Sequence, residues 1–136
     1  MLDRFLDAQR GDYAAALAEV RRGRKTSHWM WYIFPQIAGL GQSSTARYYS
    51  IRDLEEAREY YAHPVLGQRL REISGVLLEL RGSDPVAVFG GIDSMKLKSS
   101  MTLFAVAAPD DPLFRQVLDK YYGGEQDALT LRILGV

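Results

Sequence analysis

Residues 25–36, Lys-Thr-Ser-His-Trp-Met-Trp-Tyr-Ile-Phe-Pro-Gln, carry the side chains best suited to ligand chemistry. They include both tryptophans and one of the two histidines, and no charged residue occurs between positions 29 and 35. An imidazole titrates near neutral pH and can act as an acid, a base or a ligand-orienting group. Indole rings form apolar walls, and a buried indole N–H requires a hydrogen-bond acceptor. The segment therefore predicts either the wall of a pocket with a polar rim or the centre of the core.

Four residues of this segment are candidates for ligand binding: His28, Trp29, Trp31 and Gln36. His28 could act on a ligand, or it could start a helix and bond to backbone. Trp29 and Trp31 cannot face one side of a helix, so one could pack while the other lines a cavity. Burial in the core explains both tryptophans equally well. Gln36 follows the turn at Pro35 and could offer its amide to a ligand or cap a backbone group.

A second unusual segment spans residues 93–104, where Ser99, Ser100 and Thr102 occupy the middle of a predicted helix. Such residues are mediocre formers of helix interiors. Close helix packing through small side chains is one explanation. The alternative is a polar site, in which Lys96 pairs with an anionic group and the serine hydroxyls face the same space. In that case we expect His28 and Lys96 or Ser100 to line one cavity, within about 10 Å of each other.

The rest of the chain indicates a mainly α fold, a single compact domain over residues 1–136 with about eight short helices in irregular orthogonal packing. Gly11 is expected to stop a first short helix, and at most a minor strand is expected near residues 30–34. His63, before Pro64, is interpreted as a cap residue. Aspartates are predicted to cap five helices; they are Asp12, Asp53, Asp84, Asp93 and Asp111.

Composition excludes several classes of function. Seventeen basic and seventeen acidic residues balance, so no net field attracts nucleic acid or an anionic membrane. Cysteine is absent and the two histidines lie in different segments, so we expect no disulfide, no metal site and no cofactor. The charged N-terminal residues and the lack of a long apolar stretch predict a cytoplasmic protein without a membrane partner. The oligomeric state stays open.

The two segments also carry a family resemblance. Residues 28–36, Gly39-Leu40-Gly41, His63-Pro64-Val65-Leu66-Gly67 and residues 93–104 together resemble the bacterial domain of unknown function family numbered 1810. The resemblance covers about residues 2–122 and implies a compact, mainly helical domain with no established activity and no catalytic residues. Members are sometimes labelled calpastatin, but that inhibitor is a disordered repeat protein, whereas this composition is typical of a packed core.

A partial likeness also reaches an ADP-ribose-processing family that has a Glu-His-aromatic-Phe-Gln helix. Here Ser27 stands where that pattern has glutamate, and Gln36 lies further along the chain.

The sequence thus predicts a protein that binds a small polar or nucleotide-like ligand between residues 28–36 and the helix over residues 93–104. One alternative is a hydrolase acting on an N-glycosidic or ADP-ribosyl linkage. The other is a protein-interaction module without a small ligand, with four tyrosines as exposed contacts: Tyr48, Tyr49, Tyr60 and Tyr61.

Overall fold

The computed structural model describes residues 2–136. Of these residues 67% are helical, which confirms the mainly α prediction. The described part of the chain forms nine helices, α1 to α9. In chain order they are Asp3–Arg21, Met30–Ile33, Ser44–Tyr48, Leu54–Ala62, Leu66–Glu79, Pro85–Phe89, Gly91–Ala107, Leu113–Tyr122 and Ala128–Leu134.

Helix α1 is continuous through Gly11, so the prediction of a stop there and of a new helix capped by Asp12 is wrong. A glycine weakens a helix by only about 1 kcal/mol, which tertiary contacts can offset. One such contact comes from Gln9, which is buried and donates to the backbone oxygen of Tyr32 at 2.8 Å. Asp12 accepts a hydrogen bond from the Tyr32 hydroxyl instead of capping a helix. These contacts attach α1 to residues 25–36, which we call the aromatic segment.

Helix α7 lies at the centre of the fold and packs against α4, α6, α8 and α9. Its buried hydroxyls mostly bond within the helix. Ser94, Ser99 and Thr102 donate to carbonyl oxygens three or four residues earlier, at 2.7, 3.2 and 2.8 Å. Ser100 is fully buried and its Oγ has no hydrogen-bond partner. Hydrogen bonds to the preceding turn of the helix therefore satisfy most of these hydroxyls.

Two of the predicted aspartate caps are confirmed. Asp53 and Asp84 are N-caps, and each accepts a hydrogen bond from a backbone N–H two or three residues later, at 2.9 Å. The prediction for Asp111 is wrong, because the N-cap of α8 is Pro112; the Asp111 carboxylate lies one residue earlier and accepts a hydrogen bond from the Leu113 amide at 3.0 Å. Asp93 is not an N-cap, because α7 begins at Gly91 and places this carboxylate in its first turn. There it remains favoured by the helix dipole and is available to partners from other segments.

After α3, an isolated β-bridge holds the chain beside the end of the aromatic segment. Ile37 and Ile51 form an isolated parallel bridge, in which the amide of Ile51 donates to the oxygen of Gln36 at 2.8 Å. The amide of Ala38 donates to the oxygen of Ile51 at the same distance. Residues 30–33 form helix α2, so the minor strand that the prediction allowed near residues 30–34 is not formed. The bridge fixes the position of Gln36 beyond this helix.

Helices α4 and α5 meet at a tight junction that two residues define. The Nδ1 atom of His63 accepts hydrogen bonds from the amides of Val65 and Leu66, at 3.1 and 3.2 Å, which confirms its role as a cap. Gly67 lies so close to α4 that a Cβ there would come within 1.9 Å of the Tyr61 backbone oxygen. Only glycine fits this approach without a shift of the backbone.

We expect Gly67→Ala to lower the free energy of unfolding by about 2 kcal/mol, because the added methyl group must displace backbone. The matched control is Gly75→Ala in the same helix, where a Cβ meets nothing within 4 Å. That change should raise stability by about 0.5–1 kcal/mol. Urea unfolding of both variants tests the junction, and equal effects of the two substitutions would contradict it.

Candidate functional site

The buried carboxylate of Glu19 fixes the start of the aromatic segment. It accepts hydrogen bonds from the amides of Thr26 and Ser27, at 2.7 and 2.9 Å, and from the Ser27 hydroxyl. It also accepts one from the indole Nε1 of Trp29 at 3.0 Å. Glu19 is on α1, so residues 26–29 are attached to that helix through a single side chain. A carboxylate is well suited to this, since its two oxygens can accept several donors at once.

These hydrogen bonds also set the charge of Glu19. Burial alone would raise the pKa of its carboxyl, but the donors from Ser27, Thr26 and Trp29 outweigh burial and lower the pKa to about 2. The group therefore stays ionised and fully occupied by donors at neutral pH. It is a poor general acid or base there, although it contacts Ser27, the position where the ADP-ribose-processing pattern has its glutamate.

The two tryptophans have opposite surroundings. Trp29 is buried, and its ring packs against the rings of Phe34 and Phe89. Trp31 is only half-buried, and the Nζ atom of Lys96 lies 4.8 Å from its ring centroid. The sequence prediction that one indole packs and the other lines a cavity thus describes this arrangement, with Trp31 as the exposed member. Trp29 lines none of the cavities described below.

The first cavity has a volume of about 380 Å³ and opens to solvent between α2 and the start of α7. This size lies in the usual range of small-molecule sites. Its polar lining comes from Lys25, His28 and Asp93. Its other lining residues are Met30, Trp31, Phe89, Gly90, Gly91 and Ile92.

The carboxylate of Asp93 forms ion pairs with two lysines at this cavity. The Nζ atom of Lys25 lies 2.9 Å from one oxygen of Asp93, and that of Lys96 lies 3.5 Å from the other. The Lys25 side chain is only 8% exposed, so its charge is poorly screened by water. The three groups together carry an excess positive charge of one.

A second cavity, of about 270 Å³, adjoins the first. Ile92 lines both of them, and a narrow gap lined by Trp31 and Gln36 lies beside them. The second cavity is lined mainly by apolar side chains, with polar groups among them. Its lining residues are Gln36, Leu40, Gly41, Ala46, Ile92, Met95, Lys96, Ser99, Asp127 and Leu129.

Three polar side chains around these cavities have no hydrogen-bond partner in the described part of the chain. They are the imidazole of His28, the indole N–H of Trp31 and the carboxamide of Gln36. Trp29, by contrast, donates its indole N–H to Glu19. Groups that can bond but do not bond within the protein are available to a ligand or to water.

The structure brings together five of the seven predicted site residues, since His28, Trp31, Gln36, Lys96 and Ser99 line these adjoining spaces. His28 and Lys96 line two neighbouring cavities rather than one. Trp29 and Ser100 are buried and line neither. Sequence reasoning missed Lys25, Asp93, Ile92 and Met95 as lining residues. Lys25, Asp93 and Met95 lie within the two singled-out segments, but only Asp93 was given a role, that of a cap. Nothing local marked Ile92.

The tyrosines proposed as an interaction surface are not a shared exposed patch. Tyr60 is fully buried, and Tyr49 packs against the rings of Phe5 and Tyr32. The Tyr61 hydroxyl donates to Asp111 at 2.6 Å, and Tyr48 alone of the four is largely exposed. The expectation of four exposed contacts is therefore wrong.

No three histidine, aspartate or glutamate side chains among residues 2–136 are grouped to hold a metal ion. None of the helices in this range has the length and apolar character needed to span a bilayer.

Comparisons with known proteins place the chain without assigning an activity. Residues 1–134 match the family described as Protein of unknown function (DUF1810). A similar solved structure is the crystal structure of the conserved hypothetical protein Rv1873 from Mycobacterium tuberculosis, at 46% identity and a TM-score of 0.97. That match covers 99% of this chain and 96% of the other. Among curated proteins, none matches this sequence.

The Glu19 contacts predict a specific dependence of stability on pH. Because the pKa of Glu19 falls from 4.5 in the unfolded chain to about 2 in the folded protein, its contribution is complete above pH 4.5 and is lost as the pH falls towards 2. Glu19→Gln should lower the free energy of unfolding at pH 7 by about 3 kcal/mol, since buried donors lose a charged acceptor. The variant should also show a weaker loss of stability between pH 5 and pH 3.

Glu59→Gln is the control, since Glu59 is an exposed glutamate on α4. Chemical unfolding at several pH values should give it the wild-type profile. The same acid-dependent loss in Glu19→Gln as in the wild type would show that Glu19 does not carry this effect.

Proposed function

The chain belongs to the family described as Protein of unknown function (DUF1810), and from that premise we propose that it binds a small, polar, negatively charged ligand beside Trp31. Nucleotide-like molecules are the first candidates. The single observation that carries the proposal is the set of unpaired polar groups, on His28, Trp31 and Gln36, around cavities of ligand size. These groups face the cavities and are not bonded within the protein, so a ligand can replace the water that they would otherwise bind.

Charge supports a negative ligand. Lys25 and Lys96 share the carboxylate of Asp93, so an anion entering here meets an excess positive charge. Electrostatic attraction is stronger at a partly buried site than on open surface, because water screens it less. The Lys25 side chain needs no large movement to meet a ligand, since it already lines the first cavity.

The aromatic wall supports a ligand with a flat or bulky part. Trp31 presents a half-buried ring, with the ammonium of Lys96 near one face. Aromatic side chains supply much of the contact area in small-molecule sites, while a few polar groups fix the orientation of the ligand. His28 lines the first cavity together with Trp31, and Gln36 lines the narrow gap together with Trp31, so both are placed to do the second task.

The two histidines allow a matched test with adenosine 5′-monophosphate as the probe in thermal unfolding. At about one hundred times its dissociation constant, a ligand of the folded state adds about 2.7 kcal/mol of stability. His28→Ala should unfold at the wild-type temperature without the probe, because His28 is exposed, and should lose most of the rise caused by the probe. His63→Ala should behave in the opposite way, with a loss of about 1 kcal/mol from the missing cap and a normal rise.

Two results would contradict the proposal. The first is an equal rise in the wild type and in His28→Ala. The second is a wild-type protein that gains no stability from adenosine 5′-monophosphate, ribose 5-phosphate or inorganic phosphate, which would remove the negatively charged ligand class.

A further inference from the structure

We infer that the ligand is amphipathic: an anionic group lies in the first cavity and an apolar portion extends past Ile92 into the second cavity. This inference rests on the proposed function and specifies the chemical class of the ligand. It concerns the part of the ligand that the charged residues do not hold.

Several exposed apolar side chains line the second cavity. Ile92 and Met95 lie three residues apart on α7, and their exposed fractions are 75% and 71%. Leu129 of α9 is also exposed and lines the same cavity, together with Leu40. Scattered exposed aliphatic residues are common, but a concave group of them marks a binding surface. The cost of leaving this surface in water is removed when an apolar portion of a ligand covers it.

The shape and charge of this region indicate a small molecule as the occupant. The second cavity is concave, with a volume of about 270 Å³, and it adjoins the first at Ile92. Lys96 lines it and at the same time reaches Asp93 of the first cavity. A ligand that fills both spaces therefore has its negative end near the lysines and its apolar end against Met95 and Leu129.

Polar groups at the second cavity do not require a polar occupant. The hydroxyl of Ser99 already donates to the oxygen of Met95 at 3.2 Å. The amide of Asp127 is bonded to Thr102, and its carboxylate accepts hydrogen bonds from the amide and hydroxyl of Thr130. Gln36 is the exception, because its carboxamide has no partner among the described residues, and it lines both the second cavity and the narrow gap beside Trp31.

A series of n-alkyl phosphates, from methyl to hexyl phosphate, tests the inference by isothermal titration calorimetry. Burial of one methylene group contributes about 0.8 kcal/mol, so affinity should rise about fourfold with each added carbon until the cavity is filled. Pentyl phosphate should bind more tightly than ribose 5-phosphate, which has a similar length but carries hydroxyl groups.

Two exposed positions allow the cavity to be altered without a loss of folding. The double variant Met95→Ser and Leu129→Ser changes residues that line only the second cavity. It should bind methyl phosphate as the wild type does, but its affinity should rise little with chain length. Val65→Ser is the matched control, because Val65 is an exposed aliphatic residue that lines neither cavity. It should keep the full dependence on chain length.

The outcomes separate this inference from the proposed function. Equal affinity for methyl and hexyl phosphate, or tighter binding of ribose 5-phosphate than of pentyl phosphate, overturns the amphipathic ligand and leaves anion binding intact. A dependence on chain length that survives in the double variant also overturns it, because the apolar portion then lies elsewhere. Absence of binding by every alkyl phosphate and by adenosine 5′-monophosphate overturns both proposals.

Discussion

The ionised carboxylate of Glu19 is the interaction on which the arrangement of the site depends. It collects donors from Thr26, Ser27 and Trp29, and so converts a loop after α1 into a fixed support for α2. Because the indole of Trp29 is drawn inward to this acceptor, Trp31, two residues later, is directed to the other side of the short helix. The half-buried ring that walls the cavities is thus a consequence of a buried charge on a different helix.

Asp93 is the contrasting carboxylate. Glu19 accepts only neutral donors and lines none of the cavities, whereas Asp93 is shared by Lys25 and Lys96 and lines the first cavity. The pairing connects the aromatic segment to α7 and still leaves an excess positive charge at the cavity mouth. Glu19 therefore fixes the backbone that supports the site, and Asp93 with its two lysines determines the charge of the site.

The features that sequence could predict are those with local causes. Asp53 and Asp84 cap helices through backbone amides two or three residues away, so the residue types and their spacing were sufficient. Gly11 and Asp12 were misjudged because their behaviour is decided at long range, by contacts between α1 and Tyr32. Local signals were weaker than these tertiary contacts.

In the candidate site, too, the features with local causes could be predicted, and those that depend on tertiary contacts could not. The unusual composition of residues 28–36 and 93–104 located the region, since His28, Trp31 and Gln36 do line its cavities. The role of Glu19 as the acceptor for the Trp29 indole, and not for that of Trp31, could not be predicted. In the sequence, Glu19 looks like an ordinary glutamate of an amphipathic helix. Likewise Ile92 is recognisable as a lining residue only once the start of α7 is seen beside α2.

Hydrogen exchange of the two indole N–H groups, measured by NMR on a ¹⁵N-labelled sample, tests most directly whether Glu19 holds one tryptophan inside and leaves the other at the site. We expect the Trp29 signal to be protected from hydrogen exchange by its bond to Glu19, and the Trp31 signal to exchange quickly. Titration with hexyl phosphate should then move the Trp31 signal and leave the Trp29 signal in place. Equal protection of the two signals, or a shift confined to Trp29, would contradict the claim that Glu19 holds one tryptophan inside and leaves the other to form the site.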